Sequence, residues 1–474
     1  MASYDDTTSK SYVLERGDYA ITLNADSHTV IDSRTITVAG DVIYDDAHDG
    51  KRSTDQVTAT NQFDDARGEV TYLSRADHFA NYATATAAPK DMTMSKESMA
   101  VYQDKATFDA ADYDADAAMP TTGADNGLTI HDMTGLDYGD ERWDQLLDQL
   151  TVDEMVEGVA DGGFHMVAID PVGSGESTDA DGPAGLSSNF NASMKGTAFP
   201  PAVMIASTWN KDLARQRGTQ VGVEGKELGI TGWYGPAMNI HRSAFSGRNF
   251  EYYSEDGTLS GFMGGAEVAG ATEQGMMTDL KHFALNDQET NRTNGLCMWA
   301  TEQSIREIYL KAFEKAVKEG KSLAVMSSFN AIGARWAGSN ASLLQSVLRD
   351  EWGFHGAVDT DALDPLADFY MDLNRGIRTG LTHGLSMDTY DGLITDTDSA
   401  GTVAALREAM HENLYAVANS TAVDKESGMP LWTKAVIAAD VVIALFLIGS
   451  EVVAVMKYRR RMQSVTVSVD RIGR

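Results

Sequence analysis

Cysteine is almost absent. Cys297 is the only one in 474 residues, which excludes an intramolecular disulfide and any cysteine-built metal centre. Basic residues are scarce too: 38 Lys and Arg against 70 Asp and Glu give a net charge of −32. Phosphate contacts need a basic surface, so nucleic acid is excluded as a partner. A neutral ligand is compatible with this acidity, which mainly keeps the chain soluble. The ten histidines show no HExxH or similar spacing, and no metal or other cofactor is expected. GxGxxG and GxxxxGK[ST] are missing, so nothing points to nucleotide binding. The amino terminus, MASYDDTTSK, has no basic start followed by an apolar stretch, and no signal peptide is visible.

One long apolar run is present. Ala435 to Met456 is interrupted only by Asp440, Ser450 and Glu451. At helical rise it spans ~33 Å, enough to cross a bilayer. Lys457, Arg459, Arg460 and Arg461 follow at once, and the positive-inside rule places them in the cytoplasm. The expectation is a single transmembrane helix over 435–456, a basic cytoplasmic tail over 457–474, and residues 1–433 outside the cell membrane. A buried apolar helix is the alternative, since Asp440 and Glu451 are costly in lipid. An external location without an export signal implies a natural chain that begins upstream.

Along the rest of the chain the patterns change twice. Tyr19, Ile21 and Leu23, then Ile36 and Val38, alternate with polar residues, the mark of half-buried strands. Residues 1–83 are therefore expected to be a β module. Residues 84–130, rich in Ala, Thr and Asp, read as a linker or arm. From Arg142, Leu146, Leu147, Leu150, Met155 and Val156 recur at helical spacing, with Thr151 and Glu154 placed as a capping box. Short apolar runs at 231–240, 275–284, 322–330 and 354–361 then alternate with amphipathic stretches such as 302–319. Such β-then-α units fit a (β/α)8 barrel over 131–415, an α/β fold. An open doubly wound sheet matches the same alternation.

Four places carry chemistry. Asp181 opens the tight turn DGPAGL; Arg248 lies in SGRNFEYYSED beside Glu251; Lys281 and His282 end one apolar run; Asp361 ends another. Each has a plain structural reading: a turn carboxylate, an ion pair with Glu251 or Glu255, a core histidine, a helix cap. Together, at the carboxyl ends of successive strands, they favour a site. Carboxylates, Lys, Arg and His grip sugar hydroxyls, and a carboxylate flanked by cations stays ionised and nucleophilic.

The stretches DGPAGL, FPPAVMIASTWN, GPAMNIHRS, GRNFEYYSED, KHFALNDQETNR, TEQSIREIYLKAFEKAV, VMSSFNAIGARWAGSN and LLQSVLRDEWGFHGAVDTD occur in this order. From about Arg142 to Asp388 the chain resembles the barrel domain of glycoside hydrolase family 3, the β-glucosidase family. The resemblance implies that Asp361 is the nucleophile of a retaining hydrolase. Asp181 would bind the sugar at the cleaved position, Arg248, Lys281 and His282 neighbouring hydroxyls, and Glu251 would orient Arg248. Met326, Ser328 and Phe329 would lie on a strand that walls the pocket. Phe283-Ala284-Leu285-Asn286 replaces the PGHG of the branch whose acid/base is a barrel histidine. In the β-glucosidase branch the general acid is a Glu of an α/β sandwich domain.

No sandwich fits in the residues after Asp388. The chain resembles members of reversed domain order, with sandwich, fibronectin-type-III-like module, barrel and membrane anchor; residues 1–83 would be part of that module. Two positions depart from the family pattern. Asp359 stands where an apolar residue is usual, and Ala362 where an aromatic often follows the nucleophile. The expected function is hydrolysis of terminal β-D-glucosyl residues of a β-glucoside or oligosaccharide, with a separate sandwich-domain chain as a partner. A β-xyloside or β-glucuronide is another candidate substrate. The alternative is a catalytically incomplete, sugar-binding membrane fragment.

Overall fold

A computed structural model describes residues 2–463 except 27, 75–76, 89, 92, 104–117, 163–164, 188–193, 362–393, 395 and 426–430. Ala362, part of the expected arm, residues 362–393 of the expected barrel and residues 464–474 of the expected tail lie outside the described residues. The chain divides into two compact units, Met1–Glu426 and Ser427–Arg474.

The amino-terminal segment is β-rich. Strands β1 (Ser3–Asp5), β2 (Ser11–Leu14) and β5 (Val42–Tyr44) form an antiparallel sheet, while β3 (Gly17–Asn24) and β4 (Val30–Val38) pair as a hairpin. Tyr19, Ile21 and Leu23 do fall on a strand, but the expected half-burial is not met. Ile21, Leu23, Val30, Ile31 and Ile36 are exposed, because each strand of this ribbon pairs only with the other. The three-stranded sheet, by contrast, is anchored to the α/β part. Tyr4 and Tyr12 are buried edge-to-face, ring centroids 5.0 Å apart, and guanidiniums cover them: Arg306 over Tyr4 at 4.7 Å, Arg52 over Tyr12 at 3.7 Å. Glu302 accepts hydrogen bonds from the backbone N–H groups of Gln62 (2.9 Å) and Phe63 (2.5 Å).

The apolar runs become the strands that the α/β reading requires. β6 (Asp179–Ala180), β7 (Gly232–Trp233), β8 (Met277–Phe283), β10 (Ala324–Ser327) and β13 (Ala357–Thr360) form one parallel sheet in chain order. A doubly wound sheet would reverse direction at a switch point; this one does not, and its order is that of a (β/α)8 barrel. Three short strands, β9 (Cys297–Met298), β11 (Ala331–Ile332) and β12 (Arg335–Trp336), make a separate small sheet.

Helices cover this sheet. Lys211–Leu228 is capped by Asn210, whose side chain accepts from the N–H groups of Asp212 and Leu213, and it ends at Gly229 in the left-handed region. Gly257–Thr272 is capped by Asp256 in the same way. The two helices pack closely because Gly218 faces the backbone of Glu267: a Cβ there would lie 1.9 Å from its carbonyl oxygen. The amphipathic stretch 302–319 folds as Glu302–Ser304, a π-helical turn Ile305–Tyr309, and Leu310–Lys318. Its Ile305, Phe313 and Val317 are buried and Ile308 and Tyr309 half-buried in one core with Leu280, Phe283, Val325 and Val358. Phe283 meets Phe313 and Trp352 edge-on at 5.0 and 5.9 Å. The expected capping box at Thr151 is present and starts the helix Val152–Ala160.

The second unit contains the helix Leu431–Gln463, of which Val436–Gln463 is long and apolar enough to cross a membrane. Its side chains from Val436 onward are exposed.

Candidate active site

Strand ends place every predicted site residue. Asp181 follows β6, Lys281 and His282 are near the end of β8, and Asp361 follows β13. Arg248 stands on the loop between β7 and the helix Gly257–Thr272. All five therefore lie at the carboxyl end of the parallel sheet, the end on which barrel enzymes build their sites.

The pairings are specific. Lys281 Nζ donates to Asp181 Oδ1 at 2.5 Å, and the Gly182 N–H donates to the same oxygen at 2.7 Å. Burial opposes charge on Asp181, but Lys281, the Gly182 N–H and Arg248 outweigh it and hold its carboxyl below the ordinary range. Arg248 donates through Nε to the buried carboxylate of Glu251, the structural pairing anticipated for it. It also faces the negative charges of Asp181 and Asp361, so the pairing orients a guanidinium that still belongs to the site.

His282 is fixed by Asn239. The Asn239 Nδ2 donates to the His282 carbonyl at 2.8 Å and its Oδ1 accepts from the His282 N–H at 2.8 Å. His282 Nε2 stands 3.7 Å from Asp361 Oδ2. Burial, then Arg248, Lys281 and Arg292, push the imidazole pKa well below its usual value, so the ring is neutral and works as a hydrogen-bonding group.

Sequence reasoning missed Arg292. Its Nη1 donates to Asp361 Oδ2 at 3.1 Å, its Nε lies 3.1 Å from Glu289 Oε2, and its guanidinium lies 4.8 Å above the Phe329 ring. Lys281 spends its ammonium on Asp181 rather than on Asp361. The signal for Arg292 was its place at the end of KHFALNDQETNR, but only the fold returns that loop to β13. The expected wall is also rearranged. Phe329 supports Arg292, Ser328 donates to the Ala284 carbonyl at 2.9 Å, and Met326 is buried against Tyr234.

The arrangement defines a class of protein: a parallel α/β domain whose strand ends assemble a carboxylate held by a guanidinium and facing an imidazole, beside a second carboxylate–ammonium pair. Among the described residues no group of His, Cys, Asp and Glu is arranged to hold a metal ion.

Residues 179–409 match the glycosyl hydrolase family 3 N terminal domain, a TIM-barrel-like α/β fold. β-Glucosidase A of Butyrivibrio fibrisolvens is 44% identical over 190 residues, 40% of this chain and 23% of that protein. The glucose complex of β-glucosidase 3B from Thermotoga neapolitana is similar with a TM-score of 0.51 and 33% identity, over 62% of this chain and 45% of that one. A Paenibacillus barengoltzii β-glucosidase shares the fold with a TM-score of 0.65 at 24% identity, over 91% of this chain and 48% of that one. The chain is thus similar to the family 3 N-terminal domain over residues 179–409 and to β-glucosidases, and spans about a quarter of the length of the first of these relatives.

Proposed function

We propose that the chain hydrolyses terminal β-D-glucosyl or closely related residues with retention of configuration, Asp361 attacking the anomeric carbon. The observation that carries this reading is the convergence of Asp181, Arg248, Lys281, His282 and Asp361 on one end of a family 3 sheet. A retaining hydrolase needs an ionised carboxylate to form the glycosyl-enzyme bond. Arg292 holds one oxygen of Asp361, with His282 Nε2 3.7 Å from the same atom, which fixes its direction of attack. Asp181 with Lys281, and Arg248, are placed to take ring hydroxyls through charge-assisted hydrogen bonds. The glucose bound to the Thermotoga neapolitana enzyme supports glucose as the sugar.

The departing oxygen also needs a proton. Asp181, Glu251 and Glu289 are each tied to a cation. We assign the general acid to a Glu of an α/β sandwich domain, on a separate chain or elsewhere in a longer protein. We further assign residues 1–83 to a partial fibronectin-type-III-like module, 84–130 to an arm, 131–415 to the barrel, 435–456 to a membrane span and 457–474 to a cytoplasmic tail. The β-rich start and the single apolar helix support this layout.

The test is 4-nitrophenyl β-D-glucoside hydrolysis by the full chain in detergent, with azide added as an external nucleophile. This aglycone leaves with little protonation, whereas other leaving groups lose the ~10²–10⁴-fold that a general acid supplies. Turnover should rise with azide and fall by at least ~10³-fold in Asp361→Ala. The cation-bound state of every pocket carboxylate named above also favours a second reading, a membrane-anchored sugar-binding fragment. Glucose binding without turnover of the activated substrate would select it.

A further inference from the structure

Beneath the pocket lies a second set of carboxylates. Asp179 precedes Asp181 on β6, Asp279 precedes Lys281 on β8, and Asp359 precedes Asp361 on β13, each by two residues. Side chains two apart on a strand share a face. The three acids therefore form a layer directly under the site, where barrels are ordinarily filled by Val, Ile and Leu. They are 6%, 3% and 2% exposed.

Asp179 accepts hydrogen bonds from Ser177 (3.2 Å) and Tyr234, and its Oδ1 lies 2.2 Å from where a Cβ on Gly232 would stand. Only glycine leaves it that room. Asp279 Oδ2 and Asp359 Oδ1 accept no hydrogen bond from the described residues. Among the described residues, the groups facing the layer are Tyr234 from the end of β7, Asp181, Lys281 and Asp361 above it, and His165 and Lys425 on the Asp179 side. Lys281 attracts both Asp279 and Asp359 but has its Nζ on Asp181. Three bare negative charges cannot share such an interior: each desolvated carboxylate opposes ionisation of the next.

We propose that Asp179, Asp279 and Asp359 are a proton-holding layer, positioning residues that keep the space below the pocket near neutral and so leave Lys281 to Asp181 and Asp361 to Arg292. Its link to catalysis rests on the glycosidase reading above; the layer itself can be tested without substrate. Burial first, then the neighbouring acids, raise Asp279 and Asp359 well above the carboxylate range, and burial raises Asp179 to about 6. The folded state thus binds more protons than the unfolded one. The layer's stabilisation is complete below the unfolded value near about 3.9 and is lost as pH rises through the folded values.

The decisive measurement is the infrared carboxylic-acid C=O absorption of the full chain in detergent at about pH 7. Asp279→Asn and Asp359→Asn should each remove part of that absorption. Asn has the shape of a neutral acid, so both variants should fold. Their unfolding midpoints should fall less than that of the unsubstituted chain between about pH 5 and about pH 8. Absorption unchanged in both variants, or variants unfolded at every pH, would overturn the proposal. As a positioning residue, Asp359 should shift the alkaline limb of the pH–rate profile for 4-nitrophenyl β-D-glucoside when changed to Asn; an unmoved limb would overturn that role. The absorption change without turnover leaves the layer standing and removes the glycosidase reading; turnover without it does the reverse.

Discussion

At the scale of single residues, what a side chain does here is decided by its partner. Arg292 illustrates this, because its 3.1 Å bond to Asp361 puts a guanidinium directly on the proposed nucleophile. A hydrogen bond to a charged group contributes about 1.5–3 kcal/mol. Arg292→Met is therefore expected to lower kcat/KM for 4-nitrophenyl β-D-glucoside by roughly ten- to a hundredfold, with the far-ultraviolet circular dichroism unchanged. Lys281 and His282 were legible as site residues from their position after an apolar run. Their division of labour was not: Lys281 faces Asp181, and His282, held by Asn239, faces Asp361. That depends on loop paths, which strand periodicity does not encode.

At the scale of elements, local chemistry and tertiary context can be separated. Thr151 and Glu154 formed the cap their spacing implied, because a capping box needs only residues three apart. The alternation of β3 and β4 gave strands but not burial, since burial depends on what packs against them. A third case was invisible from sequence. Arg52 and Asp55, in the amino-terminal segment, join Lys311, Glu314 and Lys318 of the helix Leu310–Lys318. Arg52 and Lys318 reach Glu314 at 2.9 and 3.0 Å, and both also bind Asp55. Burial opposes the charge on Glu314, but Arg52, Lys318 and Lys311 bring its pKa down to about 2. Its stabilisation is full above the ordinary value of 4.5 and is lost as pH falls through about 2. Acid titration of the unfolding midpoint should show this limb. In Glu314→Gln the limb should flatten, with about 3–5 kcal/mol lost at neutral pH from the broken buried network.

At the scale of the whole molecule, two units with different surfaces share one chain: an α/β domain similar to that of family 3 with its β-rich approach, and an apolar helix exposed from Val436 onward. The full chain is expected to sediment with membranes and resist carbonate extraction, while Leu445→Arg, at about 2.5–3.5 kcal/mol in mid-span, should weaken that retention. Recovery of the unsubstituted chain in the soluble fraction would refute the span. By itself the sequence determined the α/β alternation and marked the five candidate site residues, because period, capping and strand-end position are local properties read along the chain. Only the tertiary structure decided which charges meet. Arg292 reaches Asp361, Arg52 reaches Glu314, and Asp179, Asp279 and Asp359 gather in one buried layer. Electrostatic partners are chosen by distance in space, and these residues lie on strands, loops and helices far apart in the chain.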